Sequence, residues 1–247
     1  MITSSHKAVR DARAGNPFRL NSWRSRRPAA AGLLGLLLGF GAAAHADTGV
    51  VTFLHSFDGG ADGLYPYSSL IPAGDGSYLG TTIQGGTGTV GTANDGTIFK
   101  VAPDGTESVL HSFSGSDGQY PASGLTLGAD GNFYGTTPIG GVSGFGSFFK
   151  VSASGQETPV GAFTNGGDGG VPTSPLVLGN DGNFYGISTS DPYKSGYSHG
   201  LVYKITPAGL PAVLYAFSGG VDGGYPQTLI KGSDGNFYGT TLLGGYQ

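Results

Sequence analysis

An eight-residue sequence recurs along this chain at nearly constant intervals. Residues 130–137 read Asp-Gly-Asn-Phe-Tyr-Gly-Thr-Thr, and the same sequence returns at 234–241. Looser copies begin at Asp75 and Asp181, so successive copies start 55, 51 and 53 residues apart. A period of about 50 residues is typical of repeat proteins, in which each unit buries its apolar surface against its neighbours.

Each unit contains the pattern of four short strands. In the second unit, apolar and β-branched residues predict strands at 122–127, 132–137 and 147–151, and a fourth strand that ends at Phe163. An Asp-Gly pair at 130–131 separates the first two strands, because Gly accepts the positive φ that a tight hairpin needs.

The four-strand pattern predicts an all-β fold. No segment after Ala46 shows a sustained helical period. We therefore expect a β-propeller-like array of four-stranded antiparallel blades, with about three full repeats and an incomplete fourth. The repeat cores are expected near residues 66–113, 121–163, 172–217 and 226–247.

The first 46 residues lie outside the repeat and predict a signal peptide. They contain seven of the twelve Lys and Arg residues, then an apolar run at 29–44 and the small-residue sequence Ala44-His45-Ala46. The run is short and rich in Gly and Ala, which argues against a membrane span. We expect cleavage after Ala46, no membrane span in the mature chain 47–247, and a secreted or cell-surface location.

The charge of residues 47–247 argues against nucleic-acid binding. This segment has five Lys, no Arg and 15 acidic residues, for a net charge of −10. A phosphate backbone or an anionic membrane would be repelled. The chain has no cysteine, so its stability must come from packing and strand pairing.

The long loops carry the candidate binding residues. Short turns join the first strand to the second and the third to the fourth, so antiparallel alternation places all the long loops together on the other face, here called the long-loop face. Loops on a rigid scaffold are common binding sites. The predicted binding residues there are Asp62, Tyr65, Asp117, Tyr120, Asp168, Asp222 and Tyr225.

Two interpretations of these Asp-Gly loops remain open. In one, each Asp caps local amides while Gly takes a positive φ. In the other, the carboxylates form a ring that binds Ca²⁺ or a polar ligand. Each loop offers a single Asp, whereas a calcium loop alternates several oxygen ligands, so the calcium signal is weak and no other cofactor is expected.

No catalytic residue is predicted. His55 and His111 occupy one repeat position that Gly161 and Tyr215 fill elsewhere, which favours a packing role. Glu107 and Glu157 also occupy one repeat position, at the start of the fourth strand. The sequence has no nucleophile motif, phosphate loop or zinc spacing.

The combined pattern resembles the GloVer tandem repeat. The resemblance rests on the Asp-Gly-Asn-Phe-Tyr-Gly-Thr-Thr strand, a Gly-Gly loop, a Phe-Lys-Val strand and a strand that ends in Leu-x-x-Phe, and it covers nearly all of residues 50–247. That repeat occurs in exported bacterial proteins with varied C-terminal surface anchors. The resemblance implies a secreted, propeller-like array and brings no catalytic residues with it.

Three functional hypotheses follow from these observations. The first is a non-enzymatic binding module, with a carbohydrate or a surface protein as its ligand. The second is a carbohydrate-active hydrolase or lyase, because distant acids can meet across a propeller. The third is a truncated, inactive remnant of a longer array. The incomplete fourth repeat also predicts self-association through unpaired strand edges.

Overall fold

The structure, a computed structural model, describes residues 53–87, 95–164, 168, 170–188 and 199–244. These residues contain fifteen strands and no helix. The predicted signal peptide lies outside the described residues, so its cleavage and the domain boundary at residue 47 stay predictions. In the part of the chain that the structure describes, no helix could span a membrane.

The strands fall into four consecutive antiparallel sheets. The first sheet contains β1 (Leu64–Pro66), β2 (Ile71–Pro72), β3 (Tyr78–Gln84), β4 (Thr97–Val101) and β5 (Glu107–Ser112). The second contains β6 (Thr126–Leu127), β7 (Phe133–Thr137), β8 (Ser147–Val151) and β9 (Glu157–Ala162). The third contains β10 (Val177–Leu178), β11 (Phe184–Ser188), β12 (Leu201–Ile205) and β13 (Pro211–Ala216). The fourth contains β14 (Gly224–Lys231) and β15 (Phe237–Leu243).

This arrangement confirms the predicted fold class. In the second and third sheets the strands pair in sequence order, β6-β7-β8-β9 and β10-β11-β12-β13, as in a propeller blade. The first sheet has the same order, except that its first strand is divided into β1 and β2, which both pair with β3. The chain is therefore an all-β, propeller-like array of small blades.

The first strands are shorter than predicted. In the second unit only Thr126–Leu127 forms a strand, although the pattern predicted one over 122–127. Gly124 has a φ of +74°, which interrupts the extended backbone. The hydroxyl of Ser123 donates to the carbonyl oxygen of Thr136 at 3.1 Å, so a side chain makes the contact to the neighbouring strand that a backbone amide would otherwise make.

The core lies between consecutive sheets. One buried cluster joins the first and second units through Leu79, Ile98, Phe113, Leu125, Phe133, Phe149 and Val151. Another joins the second and third through Tyr134, Phe148, Phe163, Leu176, Phe184, Leu201, Tyr203 and Ile205. The second sheet thus buries both of its faces against neighbours, which explains why alternate positions on both sides of its strands are apolar.

An aromatic contact recurs at three junctions along the array. A Phe lies at the end of each fourth-strand segment. Its ring makes an edge-to-face contact with the aromatic ring in the middle of the third strand of the next unit. The ring centroids are 4.7 Å apart for Phe57 and Phe99, 5.1 Å for Phe113 and Phe149, and 5.3 Å for Phe163 and Tyr203. Such edge-to-face pairs add to the stability gained from burial alone.

The same rings explain a glycine in the recurring sequence. A Cβ built on Gly135 would lie 2.5 Å from the ring of Phe149, and one on Gly80 would lie 2.5 Å from the ring of Phe99. No side chain fits there, so the position in Phe-Tyr-Gly-Thr must be glycine.

The two ends of the array differ from its middle. Among the described residues, the fourth sheet consists of the two strands β14 and β15, as the incomplete last repeat predicted. Residues 50–57 repeat the sequence pattern of a fourth strand, which predicts a strand at the N-terminal end of the array. Residues 53–57 lie outside any strand, and 50–52 lie outside the described residues.

Candidate functional site

The short Asp-Gly turns are held by a repeated hydrogen-bond unit. In the second unit, Asp130 accepts hydrogen bonds from the backbone N–H of Asn132 at 3.1 Å, from its side-chain amide at 2.7 Å, and from the Tyr134 hydroxyl at 2.9 Å. Gly131 has a φ of +78°, as predicted for a hairpin turn. The same three contacts occur around Asp181 and Asp234.

These turn contacts change the acidity of both partners. Burial raises the pKa of Asp130, but the hydrogen bonds from Asn132 and Tyr134 outweigh it, so its pKa lies below the ordinary value. Burial together with the Asp130 carboxylate raises the pKa of Tyr134 to about 12. The recurring sequence motif is therefore a structural turn with its donors satisfied.

The long loops contact one another on one face of the molecule. The backbone N–H of Gln119 donates to the carbonyl of Ile139 at 2.8 Å, which ties this loop to the second unit. The next amide, that of Tyr120, donates to the carbonyl of Asp95 at 2.9 Å, which ties it back to the first unit. Each loop between units therefore bridges the two units that it connects, and the long-loop face is a connected surface.

A residue with a left-handed backbone conformation makes this bridging possible. Tyr65, Tyr120 and Tyr225 have φ values of 58°, 58° and 55°, and Val171, at the same repeat position, has 58°. Bulky and β-branched residues rarely adopt this conformation, so each is strained. The strain turns successive amides toward two different units. The amides of Val171 and Tyr225 donate to the carbonyls of Phe145 and His199, at the position that Asp95 holds in the first unit.

The loop aspartates bind the loop to the preceding fourth strand. Nε2 of His111 lies 2.8 Å from Oδ2 of Asp117, and Nε2 of His55 lies 3.3 Å from Oδ2 of Asp62. The backbone N–H of Ser114 also donates to Asp117 at 2.9 Å. Burial raises the pKa of Asp117, but the contacts from His111 and Ser114 outweigh it and the pKa is lowered.

In the last two long loops, the aspartate at the equivalent repeat position has different hydrogen-bond partners. Asp222 accepts from the Tyr215 hydroxyl at 2.8 Å and from the N–H of Ser218 at 2.9 Å, and also from the Ser218 hydroxyl. The contacts from Ser218, followed by that from Tyr215, lower the pKa of Asp222 to about 2. Asp168 accepts from the N–H of Thr164 at 2.5 Å.

The strand glutamates complete an inter-unit cluster at two junctions. Glu157 interacts electrostatically with His111 and Asp117, and Glu107 interacts in the same way with His55 and Asp62. Burial, reinforced by the Asp117 charge and opposed by that of His111, raises the pKa of Glu157 to about 6. At the third junction the corresponding positions hold Gly161 and Pro211, so this cluster is absent there.

One open cavity lies beside the first of these clusters. Its volume is about 720 Å³, and its lining includes Asp62, Glu107, His111, Thr87 and Ser112. One oxygen of Asp62 and one of Glu107 are buried without a hydrogen-bond partner among the described residues. The cavity brings two carboxylates and a histidine together, although the histidine is engaged by Asp117.

Of the predicted binding residues, the aspartates and Tyr120 lie in loops between strands, whereas Tyr65 lies in β1 and Tyr225 in β14. The Asp residues serve as loop clamps, which agrees with the turn interpretation. The tyrosines differ in exposure: Tyr65 is 59% exposed, whereas Tyr120 and Tyr225 are half-buried. Among the described residues, no group of three or more His, Cys, Asp or Glu side chains could hold a metal ion.

Sequence reasoning missed the contact between the fourth strand and the loop aspartate. It assigned His55 and His111 to packing, and both rings do meet Phe57 and Phe113 edge-on at 4.7 and 4.8 Å. Their second role as partners of the aspartates was not predicted. The sequence did contain a signal for this contact, because the His and Tyr side chains that fill this repeat position can reach a carboxylate, whereas Gly161 cannot.

The fold and its repeated loops define a propeller-like repeat protein. A model of the Gloeobacter/Verrucomicrobia repeat matches residues 42–247. The chain belongs to this family, which confirms the resemblance to the GloVer repeat. No curated protein sequence matches the chain.

The chain is similar to a number of solved structures, among them the following three. Virginiamycin B lyase from Staphylococcus aureus has a TM-score of 0.49 at 16% identity, over 70% of this chain and 48% of the lyase. A luciferin-regenerating enzyme has a TM-score of 0.40 at 16% identity, over 70% of this chain and 54% of the enzyme. Tricorn protease has a TM-score of 0.38 at 17% identity, over 70% of this chain and 17% of the protease. The chain therefore spans about half the length of the first two proteins.

Proposed function

We propose that this chain is an exported, non-enzymatic binding module that holds a carbohydrate or a surface protein on its long-loop face. The observation that carries the proposal is a set of strained tyrosines at one repeat position, Tyr65 in β1, Tyr120 in a long loop and Tyr225 in β14, all with φ between 55° and 58°. Backbone strain of this kind clusters at functional sites. Tyrosine also combines an apolar ring with a hydroxyl, which suits both sugars and protein surfaces.

The rigidity of the loops supports a binding role. The backbone amides of Tyr120 and Tyr225 donate to carbonyl oxygens of the preceding unit, so the backbones of these two tyrosines are held in place before a ligand arrives. A preorganised surface loses less entropy on binding than a mobile one. The charge of −10 on residues 47–247 favours a neutral or cationic ligand over an anionic one.

The repetition of the acidic clusters supports a role without catalysis. Glycoside cleavage needs two carboxylates with different tasks at one position. Here the Asp–His–Glu cluster occurs twice, at Asp62, His55 and Glu107 and again at Asp117, His111 and Glu157. In both copies the histidine is paired with the loop aspartate, so the clusters act as clamps between units.

A binding screen with tyrosine variants tests the proposal. The full chain is presented to a glycan array and to a panel of bacterial surface proteins, with and without Ca²⁺. Tyr65→Ala and Tyr225→Ala are expected to weaken any binding by about tenfold each. Tyr78→Ala is the matched control, because Tyr78 is also exposed but adjoins the short turn that Asp75 caps. Equal losses for Tyr78→Ala and Tyr65→Ala would contradict a site on the long-loop face.

A further inference from the structure

One carboxyl oxygen of Glu157 is buried at the junction between the first and second units without a hydrogen-bond donor. Among the described residues, no group donates to its Oε1 atom. The donors of this region are directed at Asp117, which accepts from the N–H and the hydroxyl of Ser114 and contacts Nε2 of His111. An ionised carboxylate only accepts hydrogen bonds, whereas a protonated carboxyl also carries a donor. The surroundings of Glu157 therefore suit the neutral acid better than the carboxylate.

The charged groups that face Glu157 lie in the preceding unit and in the connecting loop. His111 lies in β5, and Asp117 lies in the loop that follows this strand. Burial raises the pKa of Glu157 most; protonated His111 opposes this rise and the charge of Asp117 adds to it, so the pKa is about 6. Asp95 in turn interacts electrostatically with Asp117. Glu157 therefore loses its proton near neutral pH, next to a second carboxylate.

The three side chains belong to three parts of the chain. Glu157 is the first residue of β9 in the second unit, His111 lies in β5 of the first unit, and Asp117 lies in the loop between them. We call these three residues the junction cluster. The amides of Gln119 and Tyr120 hold the same loop by donating to carbonyl oxygens of the second and the first unit. A change of charge at Glu157 therefore acts on the contact between the units and on the loop that carries Tyr120.

The arrangement is repeated at one other junction and is missing at the next. Glu107 also has a buried oxygen without a donor among the described residues, and it interacts electrostatically with His55 and Asp62. At the junction between the second and third units, Gly161 and Pro211 fill the positions of the histidine and the glutamate. The unit fold therefore forms with or without such a cluster, which leaves the cluster free to serve a separate purpose.

We propose that the junction cluster is a pH-sensitive switch between the first and second units, closed when Glu157 carries a proton and loosened when it does not. Ionisation of Glu157 places two carboxylates side by side, and their repulsion favours local opening of the loop. Because the closed state binds this proton more tightly than the open one, the opening equilibrium must change with pH. The loop that carries Tyr120 is therefore held more firmly in mildly acidic surroundings than at neutral pH. This effect requires no ligand on the long-loop face.

Amide hydrogen exchange at single-residue resolution measures the switch. The amides of Ser114, Gln119 and Tyr120 report on the loop, because each is hydrogen-bonded in the closed state. Rates are measured on the full chain from about pH 4.5 to about pH 7.5 and are divided by those of an unstructured peptide at the same pH. A pKa rise from 4.5 to about 6 corresponds to a change of about thirtyfold at most. Since Glu157 is only half-buried, we expect protection to fall about fivefold across this range.

Two substitutions identify the group that titrates. Gln has no proton to lose, so Glu157→Gln should keep the low-pH protection of the loop amides at every pH. Tyr is the residue at the position of His111 in the third unit, where the Tyr215 hydroxyl donates to Asp222 at 2.8 Å. His111→Tyr therefore keeps a donor for the loop aspartate and removes the imidazole. This variant should retain the pH response.

The amide of Ser218 is an internal control. It donates to Asp222, and no glutamate is among the groups that shift the pKa of this aspartate, so its protection should not change with pH. Four results would overturn the proposal: protection of the Ser114, Gln119 and Tyr120 amides that is independent of pH, a pH response that Glu157→Gln retains, a response that His111→Tyr abolishes, or an equal response at Ser218. The second and third would assign the response to another group, and the last would assign it to the whole fold.

Discussion

Nε2 of His111 lies 2.8 Å from Oδ2 of Asp117, so the fourth strand of one unit directly holds the loop that leads to the next. His55 and Asp62 form the same pair one unit earlier, and Tyr215 and Asp222 form its equivalent two units later. The histidine and aspartate side chains, which could otherwise suggest a catalytic role, therefore hold the loops in place. The position of the tyrosines on that face depends on these clamps.

The first prediction concerns the clamp between His111 and Asp117. Replacing Asp117 by Ala should lower the free energy of unfolding by about 1–3 kcal/mol, because a partly buried imidazole and the Ser114 amide lose a charged acceptor. In a double-mutant cycle with His111→Ala, the coupling energy should be about 1 kcal/mol, measured by chemical denaturation. Asp104→Ala is the control, since Asp104 caps an exposed turn through Thr106 alone and its loss should cost less. A coupling energy of zero would show that the two side chains are neighbours without holding the loop.

The second prediction concerns the short turns. Gly131 has a φ of +78°, and a Cβ added there would meet no atom within 4 Å. Gly131→Val should therefore destabilise the fold by about 1–3 kcal/mol through backbone strain alone. Gly131→Asn is the matched control and should cost less, because Asn tolerates the left-handed region. Equal melting temperatures for the two variants would contradict the turn assignment.

The third prediction concerns the pH dependence that Glu157 imposes. Its pKa in the folded state is raised from 4.5 to about 6, chiefly by burial. Folding therefore favours the protonated acid, and this contribution to stability is complete below pH 4.5 and is lost as the pH rises through about 6. Glu157→Gln stays neutral, so its stability relative to the unaltered chain should increase across this interval by on the order of 1 kcal/mol, allowing for partial solvent exposure.

Denaturation curves from about pH 2 to about pH 8 measure the effect of Glu157 and that of its control, which titrates below about pH 4. Asp104→Asn provides a control of opposite sign. The hydrogen bonds from Thr106 lower the pKa of Asp104, so its contribution is present at high pH and is lost as the pH falls. A stability difference between Glu157→Gln and the unaltered chain that does not change with pH would rule out a buried, titrating carboxyl.

The fourth prediction compares one repeat position at two junctions. Phe113 is completely buried against Phe149, so Phe113→Ala should cost about 3–5 kcal/mol. Phe217 has no third-strand ring against it in the described structure and keeps part of its surface exposed. Phe217→Ala should therefore cost less than about 1.5 kcal/mol. Thermal melts of both variants test this, and similar losses would mean that the last junction is packed like the others.

Much of the fold was predictable because each strand and turn occurs in several copies along the sequence, and the copies can be compared. The third strand of the second unit has its predicted bounds, Ser147–Val151, and the matching sequences of the first and third units form the equivalent strands Thr97–Val101 and Leu201–Ile205. The Asp-Gly turns were also predicted, because a tight hairpin turn needs a residue with a positive φ and Gly adopts that conformation readily. The shortened first strands were not predicted, because a side-chain contact such as that of Ser123 replaces backbone pairing and leaves no periodic signal.

The loop face was predictable only in part. The alternation of short and long connections placed Asp62, Asp117, Asp168 and Asp222 on one face. The left-handed residues could not be predicted, because Tyr and Val are residue types that avoid this conformation. Contacts from adjacent units hold Tyr120 there, and such contacts depend on how the units pack.

The most direct test of binding without turnover is to recover a bound ligand after prolonged contact with the protein. A ligand found in the screen is incubated with the full chain at saturation, and its mass is then measured. We predict saturable binding that Tyr65→Ala weakens, with the ligand recovered intact at every time point. The appearance of hydrolysed or eliminated product, at a rate that Glu107→Gln or Asp62→Asn abolishes, would show that the cavity beside these two residues is an active site and would contradict the account.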